Sequence, residues 1–117
     1  MGASLALVLA LGAVAAAADG QRFVGGIDEL PLAPGLEESP GAIVFDKPDG
    51  RIVAADAAGA LDAAGVRAFY RAVLPAFGWT VAGDLDFIRG GEALRIEIAG
   101  RDGALTVHFS ISPRDDP

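Results

Sequence analysis

Val66-Arg67-Ala68-Phe69-Tyr70-Arg71-Ala72-Val73-Leu74-Pro75-Ala76-Phe77-Gly78-Trp79 is the stretch whose reading decides the fold. Val66, Phe69, Tyr70, Val73, Leu74 and Phe77 recur at the spacing of one face of a 3.6-residue helix, which predicts an amphipathic helix with an aromatic stripe. Asp62 stands where an N-cap residue belongs, and Arg67 and Arg71 fall on the opposite, wet face. Pro75 and Gly78 stop the helix, the first by removing a backbone donor and the second by accepting a left-handed conformation.

From Trp79 the apolar period changes from 3.6 to 2. Trp79 to Val81 and Asp84 to Arg89 read as short strands, and Gly90-Gly91 as a tight turn into Ala93 to Ile98. Arg101-Asp102-Gly103 then leads into Leu105 to Ser112. Leu94, Ile96 and Ile98 alternate with Arg95 and Glu97, while Leu105, Val107, Phe109 and Ile111 alternate with Thr106, His108 and Ser110. That is a half-buried antiparallel meander with one wet face. Upstream of the helix, Ala42 to Phe45 and Arg51 to Ala55 flank Lys47-Pro48-Asp49-Gly50. This is the pattern of a hairpin, because Pro presets φ and Gly accepts positive φ. The helical stripe and the apolar sheet face each need a cover. The expectation is a two-layer α+β domain of order ββαβββ(β), a hairpin, one helix and a meander of three to four strands, with the helix packed on one sheet face.

Outside this core the chain divides readily. Met1 to Ala18 carries no charged side chain, and from Leu5 it is one Ala/Leu-rich run ending in Ala16-Ala17-Ala18 before Asp19. A run of that length with a small-residue end reads as a secretory signal peptide, residues 1–18, and places the domain in a bacterial periplasm. Met1 to Ser4 supply only the terminal amine where a basic stretch is usual. The competing reading is an uncleaved helix anchoring the protein in the inner membrane and facing the periplasm, although about 20 strongly apolar residues are needed to span. Residues 19–41 form an irregular arm punctuated by Pro and Gly, 42–112 the α+β domain, and 113–117 a polar tail. In the arm, Leu30, Pro31, Leu32 and Pro34 admit two readings. Either Phe23, Ile27, Leu30 and Leu32 pack along the domain's own surface, or the PxxP strip docks a partner.

The formal net charge is −7, all of it beyond residue 18, which sets the chain against nucleic acid and anionic membrane surfaces. Membrane contact is expected only if the N-terminal helix is retained. Cysteine is absent. That removes disulfides, thiol chemistry, Cys-based metal sites and a lipid-modified N-terminal cysteine, and leaves stability to the core alone.

The segment Val66–Trp79 resembles the FYxxxLPxxGW signature of small exported proteobacterial proteins of uncharacterised role. Their leading region has a similar Leu-Pro-Leu-x-Pro-Gly-Leu stretch, matched here at Leu30 to Leu36. The resemblance covers most of the chain after residue 18 and implies the exported compartment and the architecture; it brings no catalytic residue with it.

Tested for chemistry, the residues offer little. His108 is the single histidine. If Gly90-Gly91 pairs Arg89 with Glu92, Asp86 faces Arg95; if Ala99 pairs with Ala104, Arg95 faces His108. An Asp86–Arg95–His108 row would then cross the outer face, as a surface charge network or a candidate interaction surface, with no nucleophile or oxyanion donor beside it. Asp84-x-Asp86 with Glu92 does not have the spacing of a calcium loop. None of the glycine pairs makes a phosphate-binding motif. We expect no cofactor, no metal and no enzymatic activity. The expected role is contact with one or more envelope proteins as an accessory or assembly factor. The alternatives are a small-ligand or lipid-binding domain with a cavity between the Phe69/Tyr70/Phe77 stripe and the sheet, and an anchored subunit of a membrane complex.

Overall fold

The computed structural model describes residues 21–114. The expected leader and residues 115–117 of the tail lie outside the described residues. The fold is mixed α+β, with one α-helix among the described residues and a large antiparallel sheet. The strands are β1 (Arg22–Phe23), β2 (Pro31–Leu32), β3 (Glu37–Glu38), β4 (Ile43–Lys47), β5 (Gly50–Gly59), β6 (Thr80–Val81), β7 (Asp86–Arg89), β8 (Glu92–Arg101) and β9 (Ala104–Pro113); helix α1 is Ala63–Val73.

Seven strands form the main sheet in the order β3–β5–β9–β8–β7–β6, and β4 also pairs with β5. Because β9 occupies one side of β5, β3 and β4 share the other side, one after the other. Strand alternation assigns the two faces. Val53, Ala55 and Ala57 of β5, Leu105, Val107, Phe109 and Ile111 of β9, Leu94 and Ile96 of β8 and Phe87 of β7 are all buried. Their neighbours Asp56, Thr106, His108, Ser110, Arg95, Glu97 and Asp86 lie on the outer face. The far end of β5 is small because the arm crosses it closely. A Cβ on Gly59 would stand 2.5 Å from the Gly35 carbonyl oxygen.

The helix ends where Pro75 and Gly78 predict. Leu74–Phe77 tightens into a 3₁₀ turn and Gly78 takes φ +93°. Trp79 N–H then reaches the Leu74 carbonyl at 3.2 Å and Gly78 N–H the Pro75 carbonyl at 3.1 Å, a Schellman closure. The other end departs from expectation. Asp62 is the extended N-cap residue, but its side chain caps nothing. Asp102, from the turn between β8 and β9, accepts the Ala63 N–H at 2.9 Å, and Gly103 N–H donates to the Leu61 carbonyl at 2.9 Å.

Within the stripe, Val66, Tyr70 and Leu74 are buried, whereas Phe69, Val73 and Phe77 are half-buried. The Tyr70 ring meets Phe109 of β9 edge-on at 5.5 Å, and Phe77 meets Phe23 of the arm at 6.0 Å. Burying each such side chain contributes about 1.5–3 kcal/mol.

The arm is more ordered than its composition suggests. β1 pairs with β2, and β3 pairs with β5. Val24, Ile27, Leu30, Leu32, Ala33 and Leu36 all belong to the core. The partner-docking reading of the arm is corrected here: Leu30, Pro31 and Leu32 are buried in the chain's own interior, and only Pro34 of that set is exposed. The cause is long-range hydrogen bonding as well as apolar burial. The Tyr70 hydroxyl donates to the Pro31 carbonyl at 2.9 Å and accepts from Ala33 N–H at 3.0 Å, while Trp79 Nε1–H donates to the Glu29 carbonyl at 2.8 Å.

Candidate functional site

Two regions of the surface carry features beyond a solvated sheet: the outer face and the β4 edge. On the outer face, β7 and β8 place Asp86 opposite Arg95, and Arg95 Nε donates to Asp86 Oδ1 at 2.9 Å. That hydrogen bond raises the already high guanidinium pKa. Both groups are well exposed.

His108 does not complete the row, which corrects the expected register. The turn between β8 and β9 is only Asp102-Gly103, closing Arg101 against Ala104, so Ser110 lies opposite Arg95 and His108 lies opposite Glu97. A slip of two residues preserves the face and changes the partner. On its other side His108 faces Asp56 of β5, with Nδ1 2.7 Å from Asp56 Oδ1. The arrangement is a partly exposed imidazole–carboxylate pair. Thr106 and Ser110 sit two positions away along β9. At a rise of about 3.4 Å per residue that separation exceeds the roughly 2.6–3.2 Å needed for proton transfer to a hydroxyl.

Asp84, Asp86 and Glu92 are each paired with a different arginine. Asp84 pairs with Arg67 at 3.2 Å, Asp86 with Arg95, and Glu92 with Arg51 at 2.7 Å. Arg67 and Arg71 are therefore more than a wet face, since Arg71 also donates to the Gly83 and Asp84 carbonyls. Arg51 bridges Glu92 on β8 and Glu29 in the arm. The hydrogen bond from Arg51 holds the Glu29 carboxyl below its ordinary value, against an opposing desolvation effect. Among the described residues no group of three or more His, Asp or Glu side chains is placed to hold a metal ion.

The space expected between the helical stripe and the sheet is filled where Tyr70 meets Phe109. An apolar cleft of about 360 Å³ lies instead on the arm side of the helix, among Ala33, Pro34, Leu61, Val66 and Phe69. A second cleft of about 410 Å³ opens on the outer face over Asp86, Ile88, Ala93, Arg95, Ser110 and Ser112.

The β4 edge is the feature that the sequence reading passed over. Ile43, Val44 and Phe45 are 59%, 49% and 59% exposed, a consecutive apolar run on a strand that, among the described residues, pairs with β5 alone. The run was legible as strand, but three apolar residues without alternation normally indicate a strand covered on both faces. Ile43 and Phe45 lie opposite Ala54 and Ile52 on the outer face, and Val44 lies opposite Val53 on the core face. Comparison with protein-family models, curated proteins and solved structures returned no match. Among the described residues no helix is long and apolar enough to cross a membrane.

Proposed function

We propose that this chain is a non-enzymatic, exported domain that works in the bacterial periplasm by contact with another envelope protein, as an accessory or assembly factor. The observation that carries the reading is the exposed Ile43-Val44-Phe45 run on an edge strand. An apolar edge of this kind invites pairing and aggregation, and natural sheets blunt such edges unless they are used. Arm, helix and sheet share one buried core, so the edge is displayed on a rigid frame. The uncharged Ala/Leu-rich residues 1–18 and the resemblance at Val66–Trp79 support the compartment. The intact mass of the exported protein separates a cleaved domain from an anchored subunit, because only the former lacks residues 1–18.

The reading is tested by native size in detergent-free envelope extracts. The protein is expected to sediment in a complex larger than a monomer, and Ile43→Thr with Phe45→Thr returns it to monomer. A monomer in both cases contradicts the reading. A second reading, binding of a small apolar ligand, is favoured by the cleft between Pro34, Leu61 and Phe69. It predicts loss of ligand uptake on Phe69→Ser with the complex intact.

A further inference from the structure

We propose that the open edge of β4 accepts an extended segment of a partner polypeptide as an added strand, and that this segment is apolar at alternate positions and basic at its ends. The proposal rests on the protein-contact reading above and specifies its geometry and chemistry.

The edge of β5 is built in two unequal halves. The β3 half is two residues long, both of them glutamates, and is followed by Pro40 and Gly41. Ser39 N–H there still donates to the Asp56 carbonyl at 2.8 Å, and Gly41 adopts φ +98°, so residues 40–42 leave the ladder before β4 resumes it at Ile43 opposite Ala54. Short length, like charges and proline are the devices that stop a sheet edge from recruiting another strand. The β4 half is five residues long and presents three large apolar side chains before Asp46 and Lys47. Among the described residues, one edge of one strand is thus protected over part of its length and left open over the rest.

The open half is matched to a strand rather than to a globular knob. Every second residue of an edge strand directs its N–H and C=O away from its neighbour, so backbone pairing is available to any extended segment. An added strand places alternate side chains against Ile43 and Phe45 on the outer face, and the intervening ones beside Val44 on the core face. Charge decides what flanks that strand. Glu37 and Glu38 precede the open half, Asp46 and Asp49 follow it, and Lys47 is the chain's only lysine. With four carboxylates against one ammonium along it, in a chain of formal net charge −7, the edge selects a segment ending in Lys or Arg and disfavours an acidic one.

The same numbers argue against a second copy of this chain as the occupant. Two β4 edges would bring together two protomers of charge −7.

The test uses the ¹⁵N-labelled mature protein and two synthetic peptides that alternate valine with threonine, one ending in paired lysines and the other in paired glutamates. The lysine peptide is expected to shift the amide signals of residues 43–47, slow their hydrogen exchange and bind at least tenfold more tightly than the glutamate peptide. Ile43→Thr with Phe45→Thr, both at exposed positions, is expected to weaken the lysine peptide at least tenfold while leaving the melting temperature in place. Equal binding of the two peptides, no shift at residues 43–47, or shifts confined to Leu61 and Phe69 overturns the proposal. So does a concentration-dependent dimer that protects residues 43–47 without peptide. If the peptides fail while the envelope complex persists and still requires Ile43 and Phe45, strand addition is wrong and the contact reading stands. If the complex is also absent, both fall.

Discussion

Asp102 caps the helix that Asp62 introduces: its Oδ1 accepts the Ala63 N–H at 2.9 Å from a turn 39 residues away in sequence. Local sequence favours Asp62 for this role, and the tertiary fold assigns it elsewhere. Asp102→Ala is expected to destabilise the domain by about 0.5–1 kcal/mol, the ordinary cost of losing a cap, lowering the melting temperature by roughly 2–8 °C. Asp62→Ala should cost less. Thermal melts of the two variants check the order, and a larger loss for Asp62→Ala would contradict it.

Tyr70 joins helix and arm through both functions of its hydroxyl. Tyr70→Phe keeps the ring against Phe109 and removes a partner from the Pro31 carbonyl and the Ala33 N–H, both on buried residues. Leaving buried polar groups unpaired costs about 1–3 kcal/mol. Urea denaturation measures the loss, and hydrogen exchange should show the Ala33 amide losing protection before the β8 and β9 amides. Burial also pushes the Tyr70 phenol well above its usual pKa. Alkaline titration should therefore leave this tyrosine protonated until the domain unfolds.

The arm is additionally held by charge. Glu29 is acidified in the folded state by its hydrogen bond from Arg51, so its contribution is present above the ordinary glutamate range and is lost as the pH falls through the lower folded value. Glu29→Gln should be less stable than the parent at pH 7, and the two should converge in acid. Denaturation from pH 7 down to pH 3 checks this, and a difference that grows toward low pH would contradict it.

His108 and Asp56 are a partly exposed pair. His108→Ala is expected to change stability by no more than about 1 kcal/mol, the range of surface ion pairs. A chemical denaturation curve decides, since a larger loss would mean that the outer face is covered in the native protein.

Periodicity made the helix and the long strands legible, because Val66, Tyr70 and Leu74, or Leu105, Val107, Phe109 and Ile111, encode their buried face locally. Long-range closure was less accessible. The register of β8 against β9 depends on a two-residue turn, and a slip of two residues leaves the polar–apolar alternation untouched, so Asp86–Arg95 could be read and His108–Asp56 could not. Leu30, Pro31 and Leu32 admitted both packing on the domain and docking of a partner, because Pro and Gly dominate their neighbourhood and leave no periodicity to decide. Their burial comes from Tyr70 and Trp79, more than 35 residues away along the chain. The β4 edge was hidden for the opposite reason. Ile43-Val44-Phe45 has the composition of a covered strand, and only the sheet order places it at a margin.

The most direct measurement is photo-cross-linking in the intact envelope, with the reactive group placed at Phe45 on β4 and, separately, at Thr106 on the outer face of β9. The account predicts a discrete heavier adduct from position 45, abolished by Ile43→Thr, and none from position 106. Recovery of only the free monomer from position 45, or equal adducts from both positions, would contradict it.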